Sequence, residues 1–258
     1  MASGTEDPNQ DQTYQNVTVE RDGPVAVVTY DRGAKLNAFD QTSILELTDV
    51  ARRFRDDLSI RAVVLAGSAS AFSAGIDLTD AATWEPLEDD VALRARFARG
   101  VRLCQAWEEM PQITVAAMEK MSVGAGAAIA LACDWRVLAE DGFLYVPEVK
   151  VGLNLQWGAL PRLITLVGPA RAKRIVLLCE KLGAQQSLEW GLVDELAPSG
   201  GSVEVARGMA EAGGGPPPPA GPRGKGAGET PPPPPPPARA AQNNRVARQR
   251  VCWITVAV

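Results

Sequence analysis

Apolar and polar positions change rhythm repeatedly along the chain, and each change predicts an element. Residues 17–31, VTVERDGPVAVVTYD, hold two β-rich runs around Asp22-Gly23-Pro24, a turn between paired strands. Across residues 41–58, Ile44, Leu47, Ala51, Phe54 and Leu58 return at helical spacing, with Asp40 in the N-cap position. RAVVLAGS is a short continuous apolar run, the pattern of a strand buried on both faces. A second amphipathic helix carries Leu93, Phe97, Val101, Cys104 and Trp107, and ITVAAM after Pro111 reads as another strand. Strands are expected at 135–139 and 143–146, and helices at 158–167, 169–180 and 184–190. Strand and helix alternate, which predicts an α/β core with crossover connections.

Near Gly213 the rhythm stops. GGGPPPPAGPRGKGAGETPPPPPPPARAAQNNRVARQR has no apolar period, and residues 211–258 carry six Lys or Arg against two Glu. The chain is therefore divided into a leader at 1–12, expected to be disordered, a core at 13–200, and an atypical Pro/Gly-rich segment at 201–258, also expected to be disordered. Two origins fit that segment. It is either a basic tail whose polyproline II stretches bind a partner, or a frame-shifted reading of a GC-rich gene. The second is favoured, because GSVEVARGMAEA starts as an amphipathic helix and then dissolves.

Composition narrows the chemistry. The net charge of -5 offers no general attraction to nucleic acid or anionic membranes, so neither is expected as a partner. The N-terminus lacks the basic and apolar regions of a signal peptide, and a cytoplasmic location is expected. Cys104, Cys133, Cys179 and Cys252 stand far apart, without a CxxC pair, so no metal site is expected. With no histidine in the chain, Ser-His-Asp, Cys-His and HExxH mechanisms are excluded. Carboxylates and backbone amides must carry any catalysis.

Three segments qualify. In AFSAGIDL, small residues around Gly75 let backbone approach a ligand, and the Ile76 amide can point inward; alone, this is an ordinary turn. SVGAGAAIALACD is a Gly-x-Gly turn entering an apolar helix, with amides near Gly124, Ala125 and Gly126 at the helix start. GxxxxGK[ST] and the full GxGxxG pattern are both missing, which disfavours a nucleotide site. In FLYVPEVKVGLNLQWGALPRL, Glu148 is surrounded by apolar residues, a setting that favours its neutral form and makes it a better base at neutral pH.

Together with LNAFD (residues 36–40) and GPARAKRIVLLCEKLGAQQSLEWGLVDELAP, these segments stand in an order that resembles the enoyl-CoA hydratase/isomerase, or crotonase, superfamily from about Val17 to Pro198. The resemblance implies a crotonase-like (ClpP/crotonase) spiral of β-β-α units with packed helices, assembled as a homotrimer or hexamer. It implies an acyl-CoA thioester as substrate, with coenzyme A entering only as part of that substrate and no separate cofactor. It places the oxyanion donors at Ile76 N–H and Ala125 N–H and the acid/base at Glu148. Ala74, Gly75, Asp77, Gly124, Gly126, Ala128, Gln156 and Trp157 are expected around the substrate.

The departures shape the expected reaction. Hydratases of this superfamily hold water between two glutamates, and here the first of those positions is Ala128. One carboxylate suffices to move a double bond, so isomerisation of an enoyl-CoA is expected. Hydration or another lyase reaction is the alternative, and acyl-CoA binding without turnover is a second. Gln156 stands where dienoyl-CoA isomerases carry aspartate, and Asn154 and Trp157 replace a small Gly-rich loop, which implies a reshaped acyl pocket.

Overall fold

The computed structural model describes residues 13–213 apart from Glu88. In chain order the elements are β1 (Val17–Asp22), β2 (Val25–Tyr30), α1 (Gln41–Arg55), β3 (Ala62–Ala66), α2 (Ala81–Trp84), α3 (Asp90–Glu108), β4 (Ile113–Met118), β5 (Met121–Val123), α4 (Ala125–Ala130), β6 (Trp135–Ala139), β7 (Phe143–Tyr145), α5 (Ala159–Leu178), β8 (Leu182–Gly183), α6 (Ala184–Glu189), β9 (Glu195–Ala197) and α7 (Ser202–Gly213). A six-stranded sheet runs β1-β2-β3-β4-β6-β9, and a three-stranded sheet runs β5-β7-β8. In the larger sheet only the β1/β2 hairpin is antiparallel. This is the expected α/β crossover architecture.

Local signals explain most boundaries. Asp40 caps α1 by accepting from Ser43 N at 2.8 Å. That helix ends at Arg55 rather than at residue 58, and Leu58 is 87% exposed: it continues the spacing of the apolar face without reaching the core. Every residue of β3 is buried, as a central parallel strand requires. Helix α5 is interrupted at Gly168 (φ 76°, ψ 165°) before Pro169, which reproduces the expected split between 158–167 and 169–180.

The boundary placed at 201 needs correction. Residues 202–213 form α7, whose Ala206 and Ala210, one turn apart, are fully buried in a cluster with Ala62, Val64, Ala66, Val115 and Val137. Glu119 anchors its start, accepting from Gly200 N at 3.0 Å and Ser202 N at 2.9 Å. The helical start read in GSVEVARGMAEA runs on as a helix to Gly213, with Ser202, Ala206 and Ala210 as its buried face, so it belongs with the core. The remainder of that segment and the leader at 1–12 lie outside the described residues. The other face of the sheet packs against α1, α3, α4 and α5 through a core that includes Leu47, Phe54, Leu103, Trp107, Ile129 and Leu163. Cys104, Cys133 and Cys179 are buried and reduced.

Candidate active site

Loops leaving the carboxyl ends of β2, β3 and β4 converge, the place where parallel sheets present ligand sites. Residues 73–77 lie extended between two neighbours. On one side Phe39 N donates to Gly75 O (2.7 Å) and Asp77 N to Phe39 O (2.8 Å). On the other, Ser73 N donates to Met121 O (3.0 Å) and Val123 N to Ser73 O (2.9 Å). Asn37, buried, ties the arrangement to the sheet by donating to both Tyr30 O (2.8 Å) and Phe72 O (3.0 Å).

Successive amides of an extended segment point to opposite sides. Gly75 and Asp77 spend their groups on Phe39, so Ile76 N–H faces the β5 side. There β5 has already turned away: Gly124 (φ 51°) donates to Tyr145 O at 2.8 Å, and α4 begins at Ala125. Ile76 N–H and Ala125 N–H thus have no hydrogen-bond acceptor among the described residues. The two turns lie close together. A Cβ added at Gly75 (φ 97°) would stand 3.0 Å from Val123 O and 3.7 Å from Ala125 N.

Glu148 opens a short 3-10 turn, Glu148–Val151, directly after β7 and Pro147. Its carboxylate lies against the glycine turn: a Cβ at Gly124 would come within 2.8 Å of Oε1. Oε2 is buried without a hydrogen-bond partner among the described residues. Burial pushes this carboxyl above its ordinary range, outweighing a backbone hydrogen bond that pulls the other way.

These groups share one cavity of about 90 Å³, lined by Ile76, Ala125, Ala128, Glu148, Gln156 and Trp157 among others. Glu148 is the only carboxylate among its described lining residues. Gln156 sits at the exposed rim, its amide donating to Asn154 Oδ1 at 3.0 Å. Trp157 (φ 57°) is buried, 5.7 Å from the ring of Phe39 and packed against Gly100, where a Cβ would meet the indole at 2.1 Å.

Of the substrate-facing residues expected from sequence, Ala74, Gly75, Gly124 and Gly126 do not line this cavity; the three glycines support its wall as close-packed backbone. Asp77 is also absent from it. That residue is buried and paired with Arg32 (2.9 Å) and Lys35 (3.0 Å), which together with Thr79 hold its carboxyl far below the usual range despite burial. Asp77 orders the 35–39 and 73–79 loops instead of facing the cavity.

Several lining residues had no signal in the motifs: Gln41 on α1, Thr83 and Trp84 on α2, and Arg96, Phe97 and Gly100 on α3. Arg96 and Gly100, one turn apart, are the pair that helical spacing could have exposed, since both line the cavity from one face of α3.

Comparison with known proteins agrees with this architecture. The profile of the enoyl-CoA hydratase/isomerase family matches residues 20–212. The chain is 30% identical over 198 residues to carnitinyl-CoA dehydratase of Salmonella typhi, covering 76% of this chain and 74% of that protein. It is 28% identical over 184 residues to crotonyl-CoA hydratase of Syntrophomonas wolfei, covering 71% and 69%. Among solved structures, the enoyl-CoA hydratase of Bacillus anthracis superposes with a TM-score of 0.71 at 28% identity, over 77% of this chain and 76% of that one.

Proposed function

The chain belongs to the enoyl-CoA hydratase/isomerase family, and from that premise we propose that it moves the double bond of an enoyl-CoA, with Glu148 as the acid/base. The thioester oxygen accepts from Ile76 N–H and Ala125 N–H. Glu148 takes a proton from C2 of a 3-enoyl chain, the resulting enolate rests its charge on those amides, and the same carboxyl returns a proton at C4. Each oriented donor is worth ~3 to 4 kcal/mol in such a site. Raising the carboxyl pKa by burial strengthens the base without a second group.

The observation that carries this reading is the lone carboxylate. Ala128 lines the cavity, and no second acid among its described residues can help to hold a water molecule. The names of the relatives favour a second reading, hydration or dehydration of an acyl-CoA. Incubating the intact chain with a 3-enoyl-CoA in deuterated buffer separates the two. The proposal expects a 2-enoyl-CoA of unchanged composition apart from exchanged deuterium, with the rate falling ~10³-fold in Glu148→Gln. A product heavier by one water favours the hydratase, and tight binding of both esters without exchange favours a protein that only binds acyl-CoA. Assembly as a homotrimer or hexamer belongs to the same proposal, and the mass in solution tests it. No helix among the described residues is long and apolar enough to cross a membrane.

A further inference from the structure

The cavity lining holds a charge that the proposed reaction does not use. Arg96 is 8% exposed and lines the cavity from α3. Its Nη1 donates to Ala82 O (3.3 Å) and its Nη2 to Glu85 O (2.6 Å), both on or beside α2. Nε is buried with no partner, and no carboxylate pairs with the guanidinium among the described residues. Its polar neighbours are engaged elsewhere: Gln41 donates to Thr83 Oγ1 (3.0 Å), accepts from Arg99 (2.6 Å), and Thr83 donates to Asp80 (2.5 Å).

A buried cation without a counter-ion is costly, and carbonyl dipoles offset only part of that cost. Two carbonyls hold the guanidinium in place, while the buried N–H at its Nε edge is left without a partner among the described residues. Guanidinium recognises carboxylate through paired N–H groups, so that edge fits a carboxylate. Glu148 cannot be the intended partner within this cavity, since no ion pair joins the two and its Oε1 lies against Gly124. The cavity lining therefore holds one carboxylate and one cation that has no carboxylate partner among the described residues.

We propose that Arg96 receives a carboxylate at the distal end of the acyl chain, which makes the substrate class the mono-CoA thioesters of dicarboxylic acids. This rests on the acyl-CoA reading above and adds the identity of the chain end. Phe97, Trp84 and Ile44 supply the apolar wall along which the methylenes run.

Saturated thioesters test the idea without requiring turnover. Binding to the intact chain is measured for succinyl-, glutaryl- and adipyl-CoA against butyryl-, pentanoyl- and hexanoyl-CoA, with coenzyme A alone as reference. All seven ligands share the phosphates of coenzyme A, so any difference within a length-matched pair belongs to the terminal carboxylate. At one chain length or more the dicarboxylic ester should bind ~30-fold more tightly than its neutral match, and Arg96→Gln should remove most of that ratio. Arg96→Lys should restore part of it. Thermal melting shows whether each variant folds; if Arg96→Gln does not, the ratio in the unaltered chain decides alone. Neutral esters binding as well as dicarboxylic ones at every length, or a preference that survives Arg96→Gln, overturns the proposal while leaving the acyl-CoA reading standing. Failure of every acyl-CoA to bind better than coenzyme A overturns that reading instead, and this one with it.

Discussion

Two parts of the cavity wall are built by opposite means. Around Glu148 the wall is backbone: two amides without an acceptor among the described residues, in turns that pack closely because Gly75 and Gly124 have no side chain to separate them. Around Arg96 the surface is side chain, a guanidinium positioned by carbonyls on α2 and by one face of α3. Backbone sites depend on glycine at fixed steps along the chain, so they leave motifs. Side-chain sites draw single residues from distant helices, and they leave almost none. A change in the first part should impair chemistry on any acyl chain, whereas a change in the second should alter which chain is accepted.

The sharpest way to break this contrast is Gly75→Ala. At φ 97° an alanine is strained, and its Cβ would press on Val123 O at 3.0 Å, moving Ile76 N–H off the thioester oxygen it is proposed to hold with Ala125 N–H. The rate of isotope exchange should fall ~10²-fold, the effect of losing one oriented donor. Affinity for a saturated acyl-CoA should fall much less, because the donors matter most when the oxygen becomes an anion. If binding and exchange drop together, the amides hold the ground state and the enolate equally, and the catalytic half of the comparison fails.

That asymmetry also explains what could be read in advance. The hairpin, α1 with its Asp40 cap, the fully buried β3 and the break at Gly168 follow from local patterns that tertiary packing merely reinforces. The turns that carry Glu148, Ile76 and Ala125 were legible because the glycines and proline beside them constrain the backbone. Asp77 was misplaced because a carboxylate beside a glycine turn says nothing of Arg32 and Lys35, which reach it from more than forty positions away. Arg96 was invisible for a related reason. One arginine in a helix that also carries Arg94, Arg99 and Arg102 looks like part of a solvated face until the fold buries it.

Gly100→Ala sharpens the other side. A Cβ there would overlap the Trp157 indole at 2.1 Å, so the ring must move or α3 must shift, at a cost of about 1 to 3 kcal/mol in stability. Because Trp157 lines the cavity and also packs near Phe39, its displacement should reshape the acyl pocket without touching Glu148. Denaturant titration measures the first effect, and acyl-chain selectivity at unchanged exchange per bound ester measures the second. A variant with normal selectivity and normal stability would show that Trp157 does not shape this part.

The smallest expected effect concerns Glu148 as a stability liability. In the unfolded chain its carboxyl titrates near ~4.3, and burial raises it in the folded chain. Between those two values the folded state holds the extra proton, so this group's contribution to stability declines as pH rises and reaches its full penalty above the folded value. Glu148→Gln keeps the shape but cannot ionise. At pH 8 it should melt higher than the unaltered chain, although it abolishes most exchange. At pH 4 the advantage should nearly vanish, since both side chains are then mostly neutral in both states. The acid limb of the exchange rate should lie above the ordinary carboxylate range for the same reason, because a base must first lose its proton. A Glu148→Gln variant less stable at pH 8 would mean that the carboxylate is held by a favourable partner. The buried, unpartnered Oε2 would then no longer mark the catalytic part of the cavity.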